Sequence, residues 1–195
     1  ALRLTDTEIL DAITDSLMMQ GNSETSIEPR MHIQPRAGVD GHFNVLRGWI
    51  GGNIDSAGTK VVGDFVNNYK DNMPSEYGIL TLFNPRTGAP KAIIDATGIT
   101  DMRTGAITAI GAKYLAPSSS KVLAHIGSRG TAYWNVRLLC SLFNFTEVRI
   151  HSKRPESRKA FAERLEADLQ RKITITDNWK DCIEGADIVV EASRL

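Results

Sequence analysis

Cysteine is scarce in this chain, neither sign of charge is in excess, and no apolar run is long. Each shortage closes off a class of protein. Two cysteines in 195 residues, Cys140 and Cys182, cannot staple a disulfide scaffold. Their apolar or amphipathic helical surroundings mark them as reduced core thiols of a cytoplasmic protein, and no metal site is expected. Twenty-three Lys and Arg balance 23 Asp and Glu, a formal net charge of zero. Non-specific phosphate binding needs clustered cations, so neither nucleic acid nor an anionic membrane surface is expected as a partner. The apolar runs break well short of the roughly 20 residues of a membrane-spanning helix. The opening ALRLTDTEIL carries charge and helical spacing in place of an apolar stretch, so no secretory leader is expected.

What is present is a chain long enough for a small domain and part of a second. Residues 5–19 have Ile9, Leu10, Ile13, Leu17 and Met18 at helical spacing, with Thr5 or Asp6 as cap. Short β-like runs follow: MHIQP, HFNVLRGWIGG, TKVVGDFVNNY, YGILTLFNP and PKAIIDA. ILTLFNPRTGAPKAIID reads as a hairpin around a Pro/Gly turn. A helix over roughly 100–115 ends before Pro117. Beyond that point strands and helices alternate. Strands are expected at 121–127, 147–152, 173–177 and 187–193. The helices between them are 131–143, 155–169 with Pro155 first, and a short one in NWKDCIEGA. Such alternation means right-handed βαβ units on a parallel sheet. The fold class is therefore α/β, with a domain over 1–117 and a Rossmann-like domain over 118–195.

KVLAHIGSRGTAYWNV sets a strand, a glycine turn and a helix start in the order that dinucleotide binding requires. Gly127 permits the sharp turn, and the N–H groups of Ser128, Arg129, Gly130 and Thr131 open the next helix toward an anion. Arg129 stands where G-x-G-x-x-G spacing has its second glycine. It either pairs with a phosphate, the preferred reading, or points to solvent. At the end of the second strand an acidic residue would bind the ribose of NAD. This chain has His151, Ser152, Lys153 and Arg154 there, and no carboxylate before Glu156. A hydroxyl and two cations favour NADP(H), with NAD(H) the alternative; a solvated basic turn is the bland reading. His125, inside an apolar strand, is assigned to the core, and Trp49 and Trp134 to packing.

IIDATGITDMRTGAITAIGAKYLAPSSSKVLAHIG, KVVGDFVNNY and EVRIHSKRPESRKAFAERL together resemble the ornithine cyclodeaminase/μ-crystallin family over nearly the whole chain. The resemblance implies a homodimer whose first domain, 1–117, supplies the subunit interface and the substrate pocket. It implies an incomplete dinucleotide domain in 118–195, with further strands and a catalytic aspartate beyond Leu195. It also implies a small amino or imino acid substrate. Arg30 and Arg103 match arginines that hold the substrate carboxylate, and Lys60 matches the lysine that contacts the carboxylate or the reacting imine. The chemistry is coherent. Arginine grips a carboxylate through parallel hydrogen bonds, and a lysine stabilises charge or moves a proton if burial lowers its pKa. Otherwise Arg103 is a helix-surface cation and Lys60 guards a sheet edge. Two departures from the family pattern are Arg129 for the second glycine and Gly105 for an alanine, the latter expected to matter little.

The leading function is hydride transfer to or from the Cα of an amino or imino acid, as in ketimine reductases and amino-acid dehydrogenases. One alternative is ornithine cyclodeamination with a recycled bound NAD. Another is a non-catalytic binder of small ligands or NADP, and a plain nucleotide-sensing module ranks last.

Overall fold

The computed structural model describes residues 4–193; the outermost residues of the two expected domains, 1–3 and 194–195, lie outside them. Helix α1 (Asp6–Gly21) begins where Thr5 and Glu8 cap each other. Thr5 Oγ1 accepts from Glu8 N at 3.2 Å, and the Glu8 carboxylate accepts from Thr5 N at 2.7 Å, satisfying two donors that a helix start leaves open. Of the two expected caps, Thr5 is the one used.

Six strands then form an antiparallel sheet: β1 (Thr25–Ile27), β2 (Met31–Ile33), β3 (His42–Ile50), β4 (Ser56–Asp64), β5 (Glu76–Phe83) and β6 (Pro90–Asp95). The order is β1-β3-β4-β5-β6, and β2 also pairs with β3. β1 and β2 share one edge of β3, opposite Gly48–Ile50 and Phe43–Val45 respectively. The break between them contains Pro29, which has no N–H for a ladder. β1 escaped the sequence reading because three residues are too few for alternation to register. The run TKVVGDFVNNY is strand only to Asp64; Val66–Asp71 is a 3₁₀ turn that ends at Asn72 with φ of 55°. β5 and β6 form the expected hairpin, with a register shift at Leu82/Phe83.

Helix α2 (Thr97–Leu115) starts three residues before the expected position. Asp95 Oδ1 accepts from Thr97 N at 2.9 Å, while Thr97 Oγ1 accepts from Gly78 N at 3.1 Å. These bonds supply a start signal that apolar periodicity does not contain.

The second sheet is parallel, in the order β10-β7-β8-β9: β7 (Val122–Ile126), β8 (Glu147–His151), β9 (Thr174–Ile175) and β10 (Ile188–Glu191). Helices α3 (Ala132–Leu142), α4 (Pro155–Leu169) and α5 (Trp179–Ile183) alternate with them. The core here includes Leu123, Val136, Leu138, Leu139, Val148, Ile150 and Leu165. Asp187 accepts from the backbone of Lys121 at 2.6 Å and Val122 at 2.8 Å, which ties the start of β10 to β7. Cys182 is buried and Cys140 partly so; both are free thiols, and burial pushes both upward in pKa.

By contacts the chain divides into two compact units, Thr14–Thr100 and Ala1–Ile13 with Asp101–Leu195. The sequence boundary at 117/118 marks the change of rhythm along the chain. The contact division falls earlier because Ala106, Ala109 and Ile110 of α2 belong to the core of the parallel-sheet unit.

Candidate functional site

In the antiparallel unit the ladder decides which side chains share a face. Lys60 is paired with Leu46 on β3 and Leu80 on β5, so its stem runs between two aliphatic neighbours. Its Nζ donates to Thr100 Oγ1 at 3.2 Å. Thr100 is buried, and its hydroxyl in turn donates to Ala96 O at 2.9 Å. The hydroxyl thus has a fixed direction, and it holds the ammonium group in place. Arg30 is exposed in the break between β1 and β2. The registers on either side place it opposite Leu46–Arg47, the stretch of β3 that also pairs with Lys60. With strands about 4.8 Å apart, the two backbones are separated by roughly 10 Å, within joint reach of a single carboxylate. A shallow recess of about 400 Å³, lined by Arg47, Trp49, Thr59 and Phe83, contains none of the predicted residues. Thr59 adjoins Lys60 on β4, so its side chain is on the other face of the sheet.

Arg103 is on α2, half-buried, three residues beyond Thr100. Trp49 Nε1 donates to Asp55 Oδ1 at 3.1 Å, at the β3–β4 turn. Trp134 packs in α3 so near α2 that a Cβ added to Gly105 would lie 2.6 Å from its backbone. The glycine-for-alanine difference at 105, expected to matter little, is in fact a requirement of this close approach.

In the parallel unit the glycine turn occupies 127–131, between β7 and α3. Gly127 has φ of 104°, and a Cβ on it would lie 2.7 Å from Ala192 O. No other residue fits that position. Gly130 has φ of 54°, and its missing Cβ would meet nothing nearer than Asp101 Oδ1 at 4.0 Å, leaving open space over the turn. Ser128 Oγ donates to Ser152 Oγ at 3.0 Å, so the turn and the end of β8 are tied to each other. Lys153 and Arg154 extend from that end, both exposed, and Arg129 is exposed in the turn. Thr131 precedes α3 without a side-chain cap bond. The backbone N–H groups of the turn, two hydroxyls and three cations gathered about Gly130 are a donor set that suits a dinucleotide's phosphates.

Two residues here, Thr100 and Arg158, were not singled out by sequence reasoning. Thr100, which orients Lys60, was legible only as a hydroxyl one helical turn before Arg103. Arg158 is buried and donates to Thr176 O at 2.9 Å and Asp177 O at 3.0 Å, bracing the loop after β9. His125 is fully buried, as a core assignment requires, yet it bonds both Gly127 O and Asn135. Burial lowers its pKa to about 4, so it is neutral at physiological pH. Among the described residues no group of three His, Cys, Asp or Glu is placed to hold a metal, and no helix is long and apolar enough to cross a membrane.

Comparison with known proteins gives a consistent result. The model of the ornithine cyclodeaminase/mu-crystallin family matches residues 2–194. Ketimine reductase mu-crystallin of Rattus norvegicus is 27% identical over 164 residues, 84% of this chain and 51% of the relative. The chain thus spans about half the length of such curated relatives. Thermococcus litoralis Delta(1)-pyrroline-2-carboxylate reductase, solved with NADH and L-proline, superposes with a TM-score of 0.93 at 26% identity. That match covers 97% of this chain and 58% of the other. An archaeal alanine dehydrogenase dimer with bound NAD gives a TM-score of 0.87 at 25% identity, covering 97% and 57%.

Proposed function

This chain belongs to the ornithine cyclodeaminase/mu-crystallin family, and from that premise we propose that it carries the substrate clamp and cofactor turn of a nicotinamide-dependent oxidoreductase. The substrate is an amino or imino acid reacting at Cα. The observation that carries the reading is the Ser128–Ser152 bond, which joins a glycine turn to a strand end bearing Lys153 and Arg154. Residues 118–195 bind the dinucleotide, with Gly127, Ser128, Arg129, Gly130 and Thr131 at the pyrophosphate. Ser152, Lys153 and Arg154 receive a ribose 2′-phosphate, so NADP(H) is preferred over NAD(H).

Residues 1–117 bind the substrate and dimerise. Arg30, Lys60 and Arg103 neutralise the substrate carboxylate, and paired guanidinium hydrogen bonds limit its rotation. Lys60, directed by Thr100, also stabilises charge at the reacting nitrogen or returns a proton to it. A bound nicotinamide supplies or takes the hydride. The homodimer reading is supported by the sheet face opposite Lys60. Val61, Tyr77, Ile79 and Ile93 are exposed there beside Met31 and Ile33, and grouped exposed apolar side chains of this kind mark interaction surfaces. Two free thiols suit a cytoplasmic setting.

The test is a screen of the full-length protein against linear and cyclic imino acids, alanine, ornithine and lysine, following nicotinamide absorbance. Oxidation of NADPH with an imine, at lower KM than NADH, is the expected result. Ammonia release without net cofactor turnover would assign cyclodeamination instead, and failure to bind either dinucleotide would remove the oxidoreductase reading altogether.

A further inference from the structure

Among the described residues of the parallel unit, the His125 imidazole is the one fully buried ring that bonds on both sides. Its Nδ1 is 3.0 Å from Gly127 O and its Nε2 is 3.2 Å from Asn135 Nδ2 on α3. A carbonyl only accepts, so Nδ1 carries the hydrogen; an amide NH₂ only donates, so Nε2 presents its lone pair. The tautomer is therefore set by its neighbours. The two peptides of the turn are also fixed from other sides. Gly127 N donates to His151 O at 2.8 Å, and a Cβ on Gly127 would lie 2.7 Å from Ala192 O.

The consequence lies in the next peptide. In a trans peptide the C=O and the following N–H point in opposite directions, and no described peptide bond here is cis. Holding Gly127 O against the buried imidazole turns Ser128 N–H away from the core, toward the outer side of the turn where Arg129 and Gly130 are exposed. We propose that His125 is a positioning residue for the dinucleotide, aiming the Ser128 N–H at the pyrophosphate through the Gly127 carbonyl. This rests on the dinucleotide reading above. It assigns a role to a residue that touches no ligand and that an aliphatic side chain would replace if packing were its only duty.

Asparagine and glutamine separate the two bonds. An Asn amide reaches roughly where Nδ1 stands, and a Gln amide where Nε2 stands. Affinities of the full-length protein for ADP and for adenosine are measured in wild type, His125→Leu, His125→Asn and His125→Gln, with thermal midpoints alongside. His125→Leu and His125→Gln are expected to weaken ADP about tenfold, the effect of one misdirected hydrogen bond to a charged group, and adenosine by less than about twofold. His125→Asn is expected to keep ADP within about threefold of wild type. Equal ADP affinity in the Asn and Gln variants overturns the proposal, as does a parallel loss of ADP and adenosine. If His125→Leu does not fold, the Asn–Gln pair decides alone. Wild type that binds no ADP, NADH or NADPH would instead remove the dinucleotide reading beneath it.

Discussion

At the scale of single residues, Lys60 and His125 are opposite solutions to a polar group in an apolar setting. Lys60 runs an aliphatic stem between Leu46 and Leu80 and sets its polar end on the Thr100 hydroxyl. Lys60→Met keeps the stem and removes the charge. Replacing a partly buried charge by an apolar isostere is close to neutral for stability, so the thermal midpoint should hold. Turnover should fall by about 10²–10⁴, the usual worth of a positioned acid or charge stabiliser, with dinucleotide affinity unchanged. Kinetics on the substrate found in the screen, beside a cofactor titration, would check both halves; retained turnover would dismiss Lys60 from the reaction. His125 stays neutral instead. Its folded pKa of about 4 is below the ordinary 6.5, because burial penalises the cation. Between those values the unfolded chain binds the extra proton, so stability rises with pH there. The contribution, on the order of 3 kcal/mol, is complete above pH 6.5 and lost as pH falls toward 4. Urea midpoints at pH 7.5 and 5 should therefore separate in wild type much more than in His125→Asn.

At the scale of elements, the contact between α2 and α3 is where backbone geometry dictates sequence. An alanine at 105 would drive its Cβ to 2.6 Å from Trp134 backbone and Cβ atoms, and a helix backbone cannot retreat as a side-chain tip can. Gly105→Ala gains helix propensity, under about 1 kcal/mol, yet should lose about 1–3 kcal/mol net through overpacking. Chemical denaturation measures it, and a stabilised variant would mean that the helices shift apart freely. The sequence announced α3 and α4 clearly, since Pro155 starts α4 and the βα rhythm frames both. It announced the glycine turn as well, because only glycine serves at a φ of 104°. What it could not announce depends on register. Lys60 meets Thr100, 40 positions away, only once β4 is paired within its sheet and the chain has returned past β6 to Thr100. Ser128 meets Ser152 because β7 and β8 are parallel and in step, Ile126 beside His151. His125 looked like a core residue because its alternation is that of a core residue; its two bonds belong to the turn and to α3.

At the scale of the whole molecule, the antiparallel sheet has a division of labour that follows from the two-residue period of its strands. One face carries Lys60, Leu46 and Leu80; the other carries Val61, Ile79 and Ile93, the last two 57% and 77% exposed. A second copy docking on that outer face would bury the apolar residues while leaving the Lys60 face to the substrate. Ile79→Asp with Ile93→Asp places two charges where such a dimer needs apolar contact. Uncompensated buried charge costs several kcal/mol per subunit, enough to move an equilibrium dimer by several orders of magnitude toward monomer. Light scattering after gel filtration should give a dimer for wild-type full-length protein and a monomer for the double variant. Dinucleotide affinity should survive, because Gly127 and Ser152 belong to the other compact unit. A double variant that stays dimeric would mean that another surface joins the subunits, and a monomeric wild type would leave these isoleucines without the partner assigned to them.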